Sequence, residues 1–171
     1  MKHFDTRRLT LAAAVGALYA VTTLFISAFG IAYLPVQLRV SEALCVLPFF
    51  FPEAAPGLFV GCLVANLLSP YGMLDIVFGS LATLIAAICT AKVKHKWLAP
   101  LPPVISNGLI VGVLIAFEET GFGSGFMAAF AFNCATVAAG EAVSCYVLGG
   151  ILLRVLPDIS FFRKRIPEEK R

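Results

Sequence analysis

The sequence predicts an all-α membrane protein: a six transmembrane helix bundle with both termini cytoplasmic. Three observations carry that expectation. Of 171 residues 60% are hydrophobic and 13% charged, with a mean hydropathy of +0.92, so a soluble domain could not cover its apolar surface with polar groups. The apolar residues fall into six stretches punctuated by proline, glycine and charge. The basic residues collect at one side of those stretches, as the positive-inside rule requires.

The first stretch, Leu9 to Ala32, gives a helix of about 36 Å, enough to cross a hydrocarbon core of about 30 Å and too long for the apolar region of a signal peptide. The second, Ala43 to Phe51, is short and stops at Pro52. Pro56 opens the third, which reaches Leu68, and Ser69-Pro70-Tyr71-Gly72 reads as a tight turn. The fourth runs from Met73 to Ala91 and is closed by Lys92, Lys94 and Lys96. The fifth begins near Pro103, because Pro100, Pro102 and Pro103 suit a loop and a first helical turn, and ends at Phe117. Glu118 to Gly125 forms a Gly-rich connection to the sixth, Phe126 to Leu153. Stretches two and three are short enough to form one re-entrant hairpin instead of two crossings, and no internal repeat is evident.

Charge gives the orientation and the organisation: residues 1–8 form a cytoplasmic segment, 9–153 the membrane domain and 154–171 a basic cytoplasmic tail. Lys2, Arg7 and Arg8 precede stretch one, three lysines follow stretch four, and Arg154, Arg163, Lys164, Arg165, Lys170 and Arg171 follow stretch six. Only Arg39, among thirteen Lys and Arg residues, falls on the outer side. It belongs to a polar patch, Pro35-Val36-Gln37-Leu38-Arg39-Val40-Ser41-Glu42, which marks a binding element on that face.

Several classes are set aside. The basic clusters flank apolar segments and line no groove, so nucleic acid is not an expected partner. Cys45, Cys62, Cys89, Cys134 and Cys145 lie in apolar stretches without metal spacing and read as small buried hydrophobes. His3 and His95 sit at the cytoplasmic edge, so no metal site, catalytic residue or cofactor is expected. No phosphate-cradling loop of the nucleotide-hydrolysing kind occurs, so the chain does not burn ATP by that route.

Binding is the stronger reading. An ionisable residue at the centre of a span costs about 2.5–3.5 kcal/mol on insertion scales, which makes each one a functional candidate. Glu141 lies in the middle of stretch six, and with Asn133, Thr136, Gly140 and Ser144 it marks a polar stripe at helical spacing. A bond to a neighbouring helix would also account for Glu141. Asp75 and Glu118 sit at the outer ends of stretches four and five, where solvated interfacial charge is as good an account of each alone. Converging with Arg39 and Glu42, they suit a polar ligand with several N–H donors. Stretch one adds a ridge of Ala12, Gly16 and Ala20 at four-residue spacing, with Ala13 and Ala17 beside it. Such a face packs closely against another helix, either of this chain or of a partner.

Three stretches, Tyr33 to Leu44, Pro56 to Leu67 and Asp75 to Leu84, carry a family likeness. The chain resembles the substrate-binding S-component of an energy-coupling factor transporter, and more closely the QueT family of queuosine precursor transporters, over roughly Leu9 to Leu153. The resemblance implies a six-helix bundle that captures a micronutrient at its outer face, here a queuosine precursor such as queuine or a related deazaguanine. It also implies partners: a transmembrane coupling subunit, two cytoplasmic ATPases and the lipid bilayer. The family's Ala-x-x-x-Ala docking face maps onto Ala13 and Ala17, with Gly16 next to them. A guanine-like edge presents two adjacent donors to one carboxylate, for which Glu141 or Glu118 are candidates, with Asn133 reading the carbonyl and Tyr33, Phe130 or Phe132 stacking on the ring. Gln37, Arg39, Glu42 and Asp75 complete the candidate substrate-binding set. The alternative is a small homo-oligomeric channel or secondary carrier for a polar metabolite, which the nearly all-apolar run from Thr83 to Ala91 disfavours.

Overall fold

The computed structural model describes residues 6–28, 39–69 and 72–170. Among them all regular structure is helical and no strand occurs. Four helices are long and apolar enough to cross a membrane: α1 (Thr6–Ala28), α3 (Gly72–Lys92), α4 (Leu101–Thr120, preceded by the turn Lys96–Leu98) and α5 (Phe126–Asp158). Between α1 and α3 lie two shorter apolar helices, a 3₁₀ helix (Val40–Phe49) and α2 (Ala54–Asn66). Each of these measures about 20 Å, short of the hydrocarbon thickness. The expected six full spans therefore reduce to four long helices and a short helical pair.

The short pair lies inside. Every residue from Ser41 to Phe49 is buried, and a 3₁₀ run of this length is unusual because its hydrogen bonds are poorly aligned. Packing compensates: Leu44, Cys45, Val46, Leu47 and Phe49 form the main apolar core together with Tyr19 of α1, Leu58 and Cys62 of α2, and Cys145 and Leu153 of α5. Pro48 removes a backbone donor near the end of the helix, and the chain leaves it through a turn in which Phe50 and Phe51 both donate to the Leu47 carbonyl. α2 then starts at Ala54, two residues before Pro56, whose missing N–H costs nothing in a first turn. Likewise α4 starts at Leu101, ahead of Pro103, and continues through Glu118 and Glu119 to Thr120. The Gly-rich connection is thus Gly121 to Gly125 only, with Gly121 at a φ of 58° that favours glycine.

Small residues set the closest approaches. A side chain on Gly16, Gly57 or Gly61 would collide with backbone, since Gly57 faces Ala12 and Gly61 faces Gly16. The ridge of Ala12, Gly16 and Ala20 is accordingly buried against α2, within the chain, while Ala13 and Ala17 are exposed. A second seam joins α4 to α5, where a Cβ on Gly112 would sit 2.8 Å from the Cα of Cys134. Such seams allow packing by backbone contact where lipid supplies no hydrophobic drive.

The tail is part of the fold. Ile166 is 2% exposed within the main core, Phe162 packs on Phe51 at 5.8 Å between ring centres, and the Lys170 ammonium donates to the carbonyls of Phe49 at 2.8 Å and Ala91 at 3.3 Å. Arg7, Thr10 and Leu11 of α1 share a groove with Phe161, Phe162 and Arg165, and Arg154 lies 5.3 Å over the Trp97 ring. The three basic clusters therefore meet at one end of the bundle.

Candidate functional site

At the opposite end from the tail, Arg39 and Asp75 are 7% and 0% exposed and form an ion pair at 3.4 Å. Asp75 Oδ2 also accepts the Ser69 hydroxyl at 2.6 Å, and the Asn66 amide fixes the Asp75 backbone by donating to its carbonyl at 3.0 Å. Asp75 opens a π-helical turn, Asp75–Gly79, and a Cβ on Gly79 would collide with the Asp75 carboxylate. The wide turn and the missing side chain together make room for that carboxylate between α2 and α3.

Deeper along the bundle, the 3₁₀ helix carries Glu42, which is fully buried. One of its oxygens accepts the Tyr19 hydroxyl from α1, and the other accepts the Cys45 thiol at 2.9 Å. Thr23 and Ser41 add a hydroxyl pair at 2.6 Å one turn away. From α5 comes Glu141, 3% exposed, whose Oε1 accepts the Asn107 amide of α4 at 2.9 Å. The tight α4–α5 seam is what brings Asn107 within reach. A second π-helical turn, Val143–Leu148, follows, and it carries Ser144 and Cys145. The Cys145 thiol lies 3.3 Å from the Glu42 backbone carbonyl and 3.7 Å from the Glu141 carboxylate, linking α5 to the 3₁₀ helix.

Five buried side-chain atoms of the described residues have no hydrogen-bond partner: Arg39 Nε, Asp75 Oδ1, Ser80 Oγ, Asn107 Oδ1 and Ser144 Oγ. Native interiors leave few such groups, so five of them, at the start of the 3₁₀ helix and on α3, α4 and α5, are a feature to be explained. Arg39 Nε and Asp75 Oδ1 form an adjacent donor and acceptor. Asn107 Oδ1 and Ser144 Oγ flank Glu141. Each pair leaves hydrogen-bonding capacity unused in the apolar interior.

The structure brings Glu141, Glu42, Asp75 and Arg39 into this buried centre. Neither Arg39 nor Glu42 is an exposed rim residue: the 3₁₀ helix carries Glu42 inward, and Arg39, just before it, is buried against Asp75. Glu118 is exposed in the last turn of α4, and Asn133, though 7% exposed, donates to Glu119 Oε2 at 2.8 Å. Phe132 is 63% exposed, while Phe130 stacks on Phe126 at 6.4 Å. Tyr33 and Gln37, with the first half of the patch, Pro35 to Leu38, lie outside the described residues. Sequence reasoning missed Tyr19, Asn107 and Ser80. For Asn107 a signal existed, since a lone amide within an apolar span is expensive by the same argument as Glu141. Ser80 had none, because a serine in a helix usually satisfies itself on its own backbone. Among the described residues no group of His, Cys, Asp and Glu is arranged to hold a metal.

A curated relative, the queuosine precursor transporter QueT of Lactococcus lactis subsp. cremoris (strain MG1363), is 35% identical over 85 residues, a match covering 50% of this chain and 50% of that protein. The chain thus aligns with about half the length of that relative. No solved structure matches. The model of the QueT transporter family matches residues 9–158, nearly the whole helical bundle and all of the buried centre. This multi-pass membrane protein, a transporter-family chain rather than an enzyme, therefore belongs to the QueT transporter family.

Proposed function

We propose that this chain is the substrate-binding S-component of an energy-coupling factor importer, capturing a queuosine precursor from outside and delivering it inward with a coupling subunit and two ATPases. The observation that carries the reading is the presence of buried polar groups with unpartnered donors and acceptors inside an apolar bundle that a transporter family matches over residues 9–158. The basic clusters gathered at one end support a cytoplasmic assignment for both termini in a six-helix bundle whose second and third helices are a short pair. The Arg39–Asp75 end then faces outward, where a nutrient arrives. The absence of a nucleotide-binding loop in the sequence fits an energy source on separate subunits. The substrate class is supported by the name of the relative and by the donor and acceptor pairs, which suit the edge of a deazaguanine.

The test is binding without accumulation. Purified alone, the protein should retain a deazaguanine detectable by mass spectrometry. Proteoliposomes holding only this chain should not concentrate it under an ion gradient. Gradient-driven uptake by the chain alone would overturn the S-component reading in favour of a self-contained carrier.

A further inference from the structure

The basic end of the bundle carries a cleft apart from the buried acids. It is lined by Lys96, Trp97 and Pro100 from the segment ahead of α4 and by Tyr146, Gly150 and Arg154 of α5. The three α5 residues are spaced by four, so one face of that helix forms the floor. A Cβ on Gly150 would meet nothing within 4 Å, which leaves the floor open. The cleft holds about 50 Å³, room for about four water-sized groups, or one phosphate.

Among the described residues two cations and no acid line this cleft, and neither Lys96 nor Arg154 forms an ion pair there. The Arg154 guanidinium lies 5.3 Å over the Trp97 ring, which steadies its planar fork while the N–H groups at its edge stay open to an oxyanion. Pro100 stands at the start of the 20-residue α4, whose N-terminal end adds partial positive charge. The surroundings are those of a membrane interface. Trp97 and Tyr146 are both exposed, as aromatic residues at headgroup level are, and next to them on α5 Val147 and Ile151 present exposed apolar surface. A basic pocket between helices beside such a surface suits an anion with an apolar tail better than a free one. We infer that the cleft is a site for one anionic phospholipid, its phosphate held between Lys96 and Arg154 and its acyl chains lying along Val147 and Ile151. The site is independent of the substrate reading above.

Phosphatidylglycerol and phosphatidylcholine with the same acyl chains separate net charge from chain. Native mass spectrometry of the detergent-solubilised protein, titrated with each, should show one site that takes phosphatidylglycerol at least about tenfold more tightly. Lys96→Gln combined with Arg154→Gln should shrink that preference to within about threefold. Gly150→Phe should do the same by filling the cleft, and the open space at Gly150 lets the helix accept it. Lys92→Gln combined with Lys94→Gln removes equal charge nearby but outside the cleft, and should leave the preference intact. Equal binding of the two lipids by the wild type overturns the proposal, as does a loss in the Lys92 and Lys94 variant as large as that in the Lys96 and Arg154 variant. Displacement of phosphatidylglycerol by millimolar inorganic phosphate makes free phosphate the occupant and overturns the lipid. The wild-type comparison holds whether or not any variant folds.

Discussion

Glu141 is the residue whose role the sequence announces most clearly, and the structure explains why its replacement should be costly. Exchanging it for glutamine keeps the shape but removes a charge and turns one acceptor into a donor. Ligand affinity should therefore fall by roughly 2 to 4 kcal/mol, about thirty- to a thousandfold, measured by calorimetry. A Glu141→Gln protein that binds as tightly as wild type, while Asp75→Asn does not, would move recognition to the outer end of the centre. Glu141 was legible because a carboxyl in a long apolar run is costly unless a neighbouring helix or a ligand bonds to it, and Asn107 of α4 does so. Glu42 was visible only as part of a polar patch. Its inward position depends on Val40–Phe49 winding as a buried 3₁₀ helix, which neither composition nor period foretells. Asn107 and Tyr19 acquire meaning through partners 34 and 23 residues away.

At the level of helices, the two small-residue faces of α1 predict opposite outcomes. Gly57→Leu must push α1 and α2 apart, because even a Cβ there meets the Ala12 backbone. It should cost about 3 kcal/mol or more in stability, seen as a lowered denaturation midpoint in detergent. Ala13→Leu places its side chain in the open groove of Ala13, Ala17, Val60 and Val64. It should leave ligand affinity within about threefold, under 1 kcal/mol, while lowering co-purification with a coupling subunit. Equal loss of binding in Ala13→Leu would mean that the groove serves only internal packing. The ridge spacing was legible from sequence, but which of its faces is covered was not, since that depends on Gly57 and Gly61 lying opposite. Proline and glycine marked the element ends to within a few residues, as at Pro56 and Pro103. The two π-helical turns left no such mark.

Across the whole molecule, the tail ties together elements that the sequence keeps apart. Lys170 reaches the ends of both the 3₁₀ helix and α3, placing a cation where two sets of carbonyls lack partners. Lys170→Met should lower stability by about 0.5–1.5 kcal/mol, read as a shift in thermal unfolding, with ligand affinity unchanged. A tail read as merely polar and basic hid this clasp, because Ile166 and Lys170 gain their roles only from the pocket they close. The broad plan, apolar helices with basic residues gathered at one end, was legible because membrane burial constrains composition so strongly. The two π-helical turns have one more consequence. Each holds an extra residue within a helix, so the segments before and after it are out of phase by about 100° relative to a continuous α-helix. Excising a single residue such as Val77 or Val147 would restore the phase, swinging Asp75 or Ser144 around the helix axis and away from the acids. A one-codon deletion, usually ruinous in a span, would here spare membrane insertion and erase recognition.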